Sequence, residues 1–460
     1  MIALALALTG CTGQAAAPGL EARRQHNVVL VVIDALRADR VGAYGHSRAT
    51  TPNLDALAAR GARFDRAAAS ATWTLPSFAS MFTGRHALTH KVSNANHRLD
   101  EAELTLAESL QIAGYETAGF ASGIFLNRQF GFAQGFDHWS DIPVDFSSDR
   151  PRPPRKTSDV LVPEVIGWLD KPHPEPFFLF VHLMDTHPPL ALPADGDSLR
   201  YDPDYSGLLD GVSLDLRLKK RLYGRLLNEP GGAPKTLSDA DVAHIQARYD
   251  AGVAYSDAWL GTLLEALDQR KLTGSTTVIV TADHGVDLLD HNTLFAYPSQ
   301  APYEEITRVP LVVRHPDGPS GLTVTDRVSG VDLYPTVLDM LGLPADPGAE
   351  GVSLLPALQG EALPPRDLYA MGSPEREPDL DRRTLSITRG DHKLLTHSIA
   401  PFDFFTTELY DLAADPGERR DLALEDRETL GELQYAMHEF VRARGSEGLY
   451  QPRRSGRGEP

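Results

Sequence analysis

The sequence predicts an α/β fold: a mostly parallel sheet covered by helices on both faces, followed by a small C-terminal α+β subdomain. Three observations carry this expectation. The runs Asn27–Ile33, Phe177–Leu183 and Thr276–Ala282 are continuously apolar or β-branched, as strands buried on both faces of a parallel sheet must be. Segments with helical periodicity alternate with these runs, which is the βα pattern. After about residue 365 the pattern changes to short runs at Thr384–Thr388 and His392–Thr396, suited to antiparallel pairing.

In chain order, Asn27–Ile33 ends at Asp34, and Thr51–Arg60 reads as a helix with Pro52 near its start and Gly61 after it. Leu104–Ala113 is a second helix, stopped by Gly114, and Tyr115–Ser122 a strand. Residues 141–157 are rich in Pro, Asp, Ser and Arg and read as a loop. Asp159–Leu169 returns to helix, and Phe177–Leu183 ends in Met184-Asp185-Thr186-His187-Pro188-Pro189. Residues 190–235 are a polar excursion, helical over Leu208–Leu227, and Asp239–Leu267 is a long helix. Thr276–Ala282 runs into Asp283-His284-Gly285, Leu311–Arg314 is a short strand, and Val331–Leu341 and Arg427–Arg444 are helices. The implied organisation is a leader and tether (1–26), an α/β catalytic domain (27–365), a C-terminal α+β subdomain (366–450) and a disordered tail (451–460).

Composition narrows the partners. Of 460 residues, 42% are hydrophobic and 23% charged, ordinary for a globular enzyme. The net charge of −19 opposes binding to phosphate backbones, so nucleic acid is not an expected partner. The one cysteine, Cys11, excludes an intrachain disulfide and a thiolate metal cluster. It follows the apolar run Met1–Thr9 in Leu8-Thr9-Gly10-Cys11, which resembles a bacterial lipobox, although no Lys or Arg precedes the run. Cys11 is therefore the expected lipidation site. The protein would be lipid-anchored in the bacterial cell envelope, at the outer membrane or cell surface, tethered through the small residues Gly13–Gly19.

Ligands of open α/β sheets sit beyond the carboxyl ends of the strands. Three strands here end in candidate ligands: Asp34; Asp185 with His187; and Asp283 with His284. A lone Asp at a strand end is commonly a turn residue or helix cap, but three on one sheet edge suggest a centre. Carboxylate together with imidazole suits Zn²⁺ or Mn²⁺ better than Ca²⁺ or Mg²⁺. In Thr72-Trp73-Thr74-Leu75-Pro76-Ser77, the proline marks a helix start. A Thr74 hydroxyl there would face oriented N–H groups and a positive dipole end, which favour an alkoxide and a bound oxyanion; the plainer role is a helix cap. His182, inside an apolar run, reads as a core histidine, and His90 and His291 are weaker candidates than His187, since each could be a surface residue.

The order of motifs is more specific than any one of them. Asn-Val-Val-Leu-Val-Val-Ile-Asp at 27–34, Thr-Pro-Asn-Leu-Asp at 51–55 and Leu-Pro-Ser-Phe-Ala-Ser-Met-Phe-Thr-Gly-Arg at 75–85 come first. Phe-Val-His-Leu-Met-Asp-Thr-His-Pro-Pro at 180–189, Thr-Ala-Asp-His-Gly at 281–285 and Glu-Leu-Tyr-Asp-Leu at 408–412 follow. In this order they resemble the sulfatase family of the alkaline phosphatase superfamily over roughly residues 27 to 422. The resemblance implies an alkaline-phosphatase-like fold, metal ligation by Asp34, Asp283 and His284, a nucleophile at Thr74, and substrate contacts from Arg85, Asp185 and His187, with His187 also catalytic.

The departures are chemical. Sulfatases proper carry Cys or Ser at the Thr74 position, oxidised to formylglycine, and Arg four residues on; here Phe78 stands there. Threonine cannot become formylglycine. Ala35 replaces a second Asp ligand, and Val286 a common Glu. The expectation is thus a metal-dependent hydrolase of sulfate or phosphate esters working through a covalent Thr74 ester. Its substrate would be a small molecule or a glycan or lipid-headgroup ester. The alternatives are a phosphoglycerol-type transferase, which a Thr nucleophile also resembles, and a non-catalytic binding lipoprotein.

Overall fold

The computed structural model describes residues 26–142, 157–173, 176–190, 192–193, 196–212, 214, 237–291, 301–372, 383–399 and 404–445. The expectations for Cys11, the leader and tether, and the 451–460 tail lie outside the described residues, as does most of the 141–157 loop.

The strands of the large sheet are β1 (Asn27–Ile33), β2 (Ala62–Ala68), β3 (Glu116–Phe120), β4 (His138–Ser140), β5 (Phe177–Leu183), β6 (Thr276–Thr281), β7 (Arg308–Val309), β8 (Leu311–Arg314) and β9 (Leu322–Ser329). Their order is β4-β3-β5-β1-β6-β8-β2-β7, with β9 on β2. From β4 to β6 every pairing is parallel; β8 enters antiparallel to β6. The centre is β5-β1-β6, and every residue of these three strands is buried, as the unbroken apolar runs demand. Val32 is level with both His182 and Thr281, so the three carboxyl ends finish together.

The helices are α1 (Pro52–Ala59), α2 (Thr74–Thr83), α3 (Ala87–His90), α4 (Leu106–Ile112), α5 (Ser158–Leu169), α6 (Asp239–Gln269), α7 (Glu304–Thr307), α8 (Leu333–Met340), α9 (Leu355–Leu358) and α10 (Arg427–Ala443). The group α1, α5 and α6 packs together, and so does the group α2, α4 and α8, giving the two helical layers about the sheet. Two helices start on reciprocal side-chain caps, α4 on Thr105 with Glu108 and α6 on Ser238 with Asp241, each satisfying first-turn amides.

A second, antiparallel sheet, β10 (Leu368–Gly372), β11 (Thr384–Arg389), β12 (His392–Ile399) and β13 (Phe404–Asp411), lies under α10. Leu385, Ile387, Leu394 and Leu409 pack there on Leu430, Leu433 and Met437. This sheet reaches the large one at a telling place: Met371 N donates to Ser70 O at 3.0 Å and Thr72 N to Met371 O at 3.1 Å. The run entering α2 is thereby clamped just before Thr74.

The fold class is as expected, and most element bounds agree within two residues. The sequence reading missed β2, β4, β7, β9, β10 and β13. In Ala-Arg-Phe-Asp-Arg-Ala-Ala only Ala62, Phe64 and Ala67 are buried, so the run lacks the unbroken apolar character of the central strands. Residues 208–211 form turn rather than the start of a helix; 215–227 lie outside the described residues.

Candidate active site

The site forms where β1, β5 and β6 end and α2 begins. Asp34 directly follows β1, and its backbone N–H donates to Leu183 O of β5 at 2.8 Å. Asp283 and His284 follow β6 by way of Ala282. Ala35 adopts a left-handed conformation (φ 57) that a non-glycine residue rarely takes, and its N–H donates to Asp283 Oδ1 at 3.1 Å. The two metal-ligand candidates are thus tied together by a locally strained backbone.

The donor set fits a divalent cation. One ligand atom each from Asp34, Asp283 and His284 lies within 4.8 Å of the others, and all three residues are buried. Asp283 Oδ1 is occupied by the Ala35 and His284 amides, whereas Asp283 Oδ2 and Asp34 Oδ1 have no hydrogen-bond partner. Buried carboxylate oxygens without partners are costly unless something cationic completes them. His284 Nδ1 donates to Gly285 O at 2.6 Å, which fixes the tautomer and turns the Nε2 lone pair toward the carboxylates. His284 Nε2 is 3.3 Å from Asp283 Oδ2 and 3.8 Å from Asp34 Oδ1. Bonds of ~2.1 Å at a tetrahedral ion give ligand edges of about 3.4 Å, close to these separations.

The charges agree with that reading. Burial opposes ionisation of Asp34, but the imidazoles of His187, His182 and His284 outweigh it and hold this carboxyl well below the usual range. Asp283 is pushed up by burial and by the neighbouring Asp34 charge. Two carboxylates that cannot comfortably ionise together are what a divalent cation would reconcile.

Thr74 stands at the first position of α2, buried, with its Oγ 3.4 Å from Asp34 Oδ2 and 3.4 Å from His284 Nε2. It is not a cap: the N-cap is Trp73, and no side chain caps this helix. Pro76 has no N–H and the Ser77 N–H donates to Trp73 O, so Thr74 and Leu75 carry the first-turn amides that no side chain caps. Ser77 Oγ donates to Asp283 O at 2.6 Å, locking α2 to the end of β6. Phe78 packs edge-on against His182 and Phe180.

His187 follows the same strand end, and its Nδ1 donates to Pro188 O at 2.6 Å. Two residues expected at the substrate are held by protein partners. Arg85 follows the C-terminal end of α2, roughly 15 Å from Thr74 at the rise of an α-helix, and pairs with Glu103 at 3.0 Å and Asp346 at 2.7 Å. Asp185 is buried and accepts from Ser158 N and Ser158 Oγ at the first turn of α5. Its carboxylate satisfies a helix start, where the dipole favours negative charge.

Sequence reasoning missed His182. Its Nε2 is 3.1 Å from Asp34 Oδ2, fully buried. The signal was strand parity: His182 is level with Val32, which shares a face with Asp34 two residues on. Arg37 was missed too. It donates to Val286 O at 3.1 Å and pairs with Asp39 at 2.8 Å and Asp290 at 2.5 Å, bracing the loop that carries Asp283 and His284.

Comparison with known proteins gives this geometry a family. The sulfatase family model matches residues 26–343, more than half of the chain. The chain belongs to the sulfatase family. A model of the N-sulphoglucosamine sulphohydrolase C-terminal region matches residues 296–445. Human arylsulfatase K is 26% identical, covering 96% of this chain and 87% of its own length. The Δ4,5-hexuronate-2-O-sulfatase of Bacteroides thetaiotaomicron is 24% identical, covering 91% and 88%. Among solved structures, the phosphonate monoester hydrolase of Agrobacterium radiobacter superposes with a TM-score of 0.71 at 23% identity, over 92% of this chain and 96% of that one. Within the sulfatase frame, the Asp34, Asp283 and His284 cluster lies on the sheet edge where α/β folds bind ligands.

Proposed function

We propose that this sulfatase-family protein hydrolyses sulfate or phosphate esters with Thr74 as nucleophile and a divalent metal, Zn²⁺ or Mn²⁺, held by Asp34, Asp283 and His284. The observation that carries the proposal is the Thr74 hydroxyl at the N-terminus of α2, 3.4 Å from atoms of two of the three ligands. A bound metal would lower the pKa of a nearby hydroxyl and draw charge from an ester oxygen. Thr74 Oγ forms a bond to sulfur or phosphorus as the bond to the alcohol oxygen breaks, and the alcohol leaves with a proton. The Thr74 and Leu75 amides at the start of α2 would stabilise the charge that develops on the oxyanion. His187, four residues after the end of β5, positions the transferred group. Water then attacks the same central atom and restores the Thr74 hydroxyl.

Formylglycine chemistry has no place in this scheme, because a threonine side chain cannot become the required aldehyde. The threonine ester must therefore be displaced at sulfur or phosphorus. That route is open to phosphoryl and phosphonyl groups as well as to sulfate. The names of the relatives point both ways, to sulfate esters and to a phosphonate monoester. The deciding experiment is a panel of aryl sulfate, phosphate monoester, phosphodiester and phosphonate, run on chelated and on Zn²⁺- or Mn²⁺-loaded protein. At least one ester should turn over only in the loaded protein. Equal rates with and without metal would sink the proposal.

The same reading includes a lipid anchor at Cys11, on the strength of Leu8-Thr9-Gly10-Cys11. Intact-mass measurement should find a mature chain that begins at an acylated Cys11. A retained Met1 with a free thiol would remove the anchor and leave the catalytic proposal untouched.

A further inference from the structure

Several arginines near the catalytic edge are paired with carboxylates among the described residues. Arg37 has Asp39 and Asp290; Arg40 and Arg48 share the buried Asp250. Arg248, on α6, has no carboxylate within ion-pair distance among the described residues. Its Nη2 donates to Leu190 O at 2.8 Å, and its Nε is buried with no partner.

Its position is fixed by its neighbours on the helix. Gly252, one turn on, lies so close to the loop after β5 that a Cβ there would be 2.6 Å from Asp185 O. Tyr249 donates to Ala35 O at 2.7 Å and accepts from Arg37 N at 3.0 Å. The helix face made by residues 248, 249 and 252 therefore presses on the loops that carry Asp34 and His187. Arg248 reaches Leu190, three residues after His187.

We propose that Arg248 binds a second anionic group of the substrate, so that the preferred substrates carry a carboxylate or further sulfate beside the ester that is cleaved. The inference rests on the catalytic reading above. Stabilising a guanidinium by one backbone carbonyl leaves most of its five donors and all of its charge unanswered, and half-burial makes that costly. Desolvation accordingly lowers its pKa, with no acid opposing. A planar carboxylate, or two oxygens of a tetrahedral sulfate, would take up the fork in bidentate fashion. A mere strap on Leu190 would need only a neutral donor.

The test compares substrates that differ in one charge. A sulfated hexuronic acid glycoside is set against its carboxyl methyl ester, and a disulfated glucosamine glycoside against its monosulfate. In the wild type, the charged member of at least one pair should have the higher kcat/KM, by roughly ten- to a hundredfold. Arg248→Gln, which keeps a donor for Leu190, should collapse that ratio through KM, and Arg248→Lys should restore part of it. Which pair responds identifies the second anion. A ratio near one in the wild type, or one unchanged in Arg248→Gln, overturns the proposal. Calorimetric binding of the same pairs to the Thr74→Ala protein keeps the two readings apart. A preference for the charged member that is lost in the Thr74→Ala, Arg248→Gln double variant supports Arg248 even if Thr74 proves not to be the nucleophile.

Discussion

Thr74→Ala should lower kcat/KM for the best ester by at least about a thousandfold, because it removes the atom that forms the covalent bond. Its melting temperature should stay close to wild type. Thr74 makes only long side-chain contacts, 3.4 Å to Asp34 and 3.4 Å to His284, and does not cap α2. Alanine is also the better helix former at an interior or early position. Thr74→Ser keeps the hydroxyl on the same backbone and should retain activity within roughly tenfold, while losing the restricted χ1 of the β-branched side chain. Mass spectrometry of wild type quenched during turnover should find a sulfo- or phosphoryl-peptide at residues 72–77, absent from Thr74→Ala. An alanine variant with a tenth or more of wild-type activity would end the nucleophile assignment, whatever else the site does.

The sheet was legible because its chemistry is repetitive. The central strands β1, β5 and β6 must be apolar throughout, and they read so directly. The Asp34, Asp283 and His284 cluster was legible for a related reason: strand ends on one sheet edge converge, so residues 250 positions apart can be grouped by topology alone. What stayed hidden depended on side-chain direction and tertiary pairing. His182 looks like core by its neighbours, yet its ring reaches Asp34. Asp185 looks like a ligand by its place after β5, yet the start of α5 claims it. Arg85 follows a family motif, yet a full helix separates it from Thr74, and acids distant in sequence hold it. No local pattern encodes such partners, since each comes from another part of the chain.

The His182 contact also bears on the position where sulfatases proper have arginine four residues after the nucleophile. Phe78 occupies it here, directed onto His182 rather than toward an oxyanion. His182 in turn donates toward Asp34 Oδ2, which leaves Asp34 Oδ1 directed at the other ligands. Phe78 and His182 therefore form a unit: an apolar ring fixes an imidazole, and the imidazole fixes a carboxylate. An ionised Asp34 supported in this way is prepared to meet a cation before one arrives.

The second large effect follows from that preparation. Asp283→Asn should bind metal at least about a hundredfold more weakly and lose activity in proportion, while the metal-free protein becomes as stable as wild type or more so. The amide oxygen can still accept from the Ala35 and His284 amides in place of Oδ1, so the strained turn at Ala35 keeps its anchor. The amide NH₂ then points where Oδ2 stood, among the ligands, and cannot coordinate. Without metal, the substitution removes the repulsion between two buried carboxylates, a cost that burial magnifies. Thermal melts with chelator and with saturating Zn²⁺ or Mn²⁺ separate these effects. Wild type should gain several degrees on loading, by linkage to the folded state, and Asp283→Asn should gain almost nothing. A full metal-dependent gain in the asparagine variant would place the ion elsewhere and remove Asp283 from the ligand set.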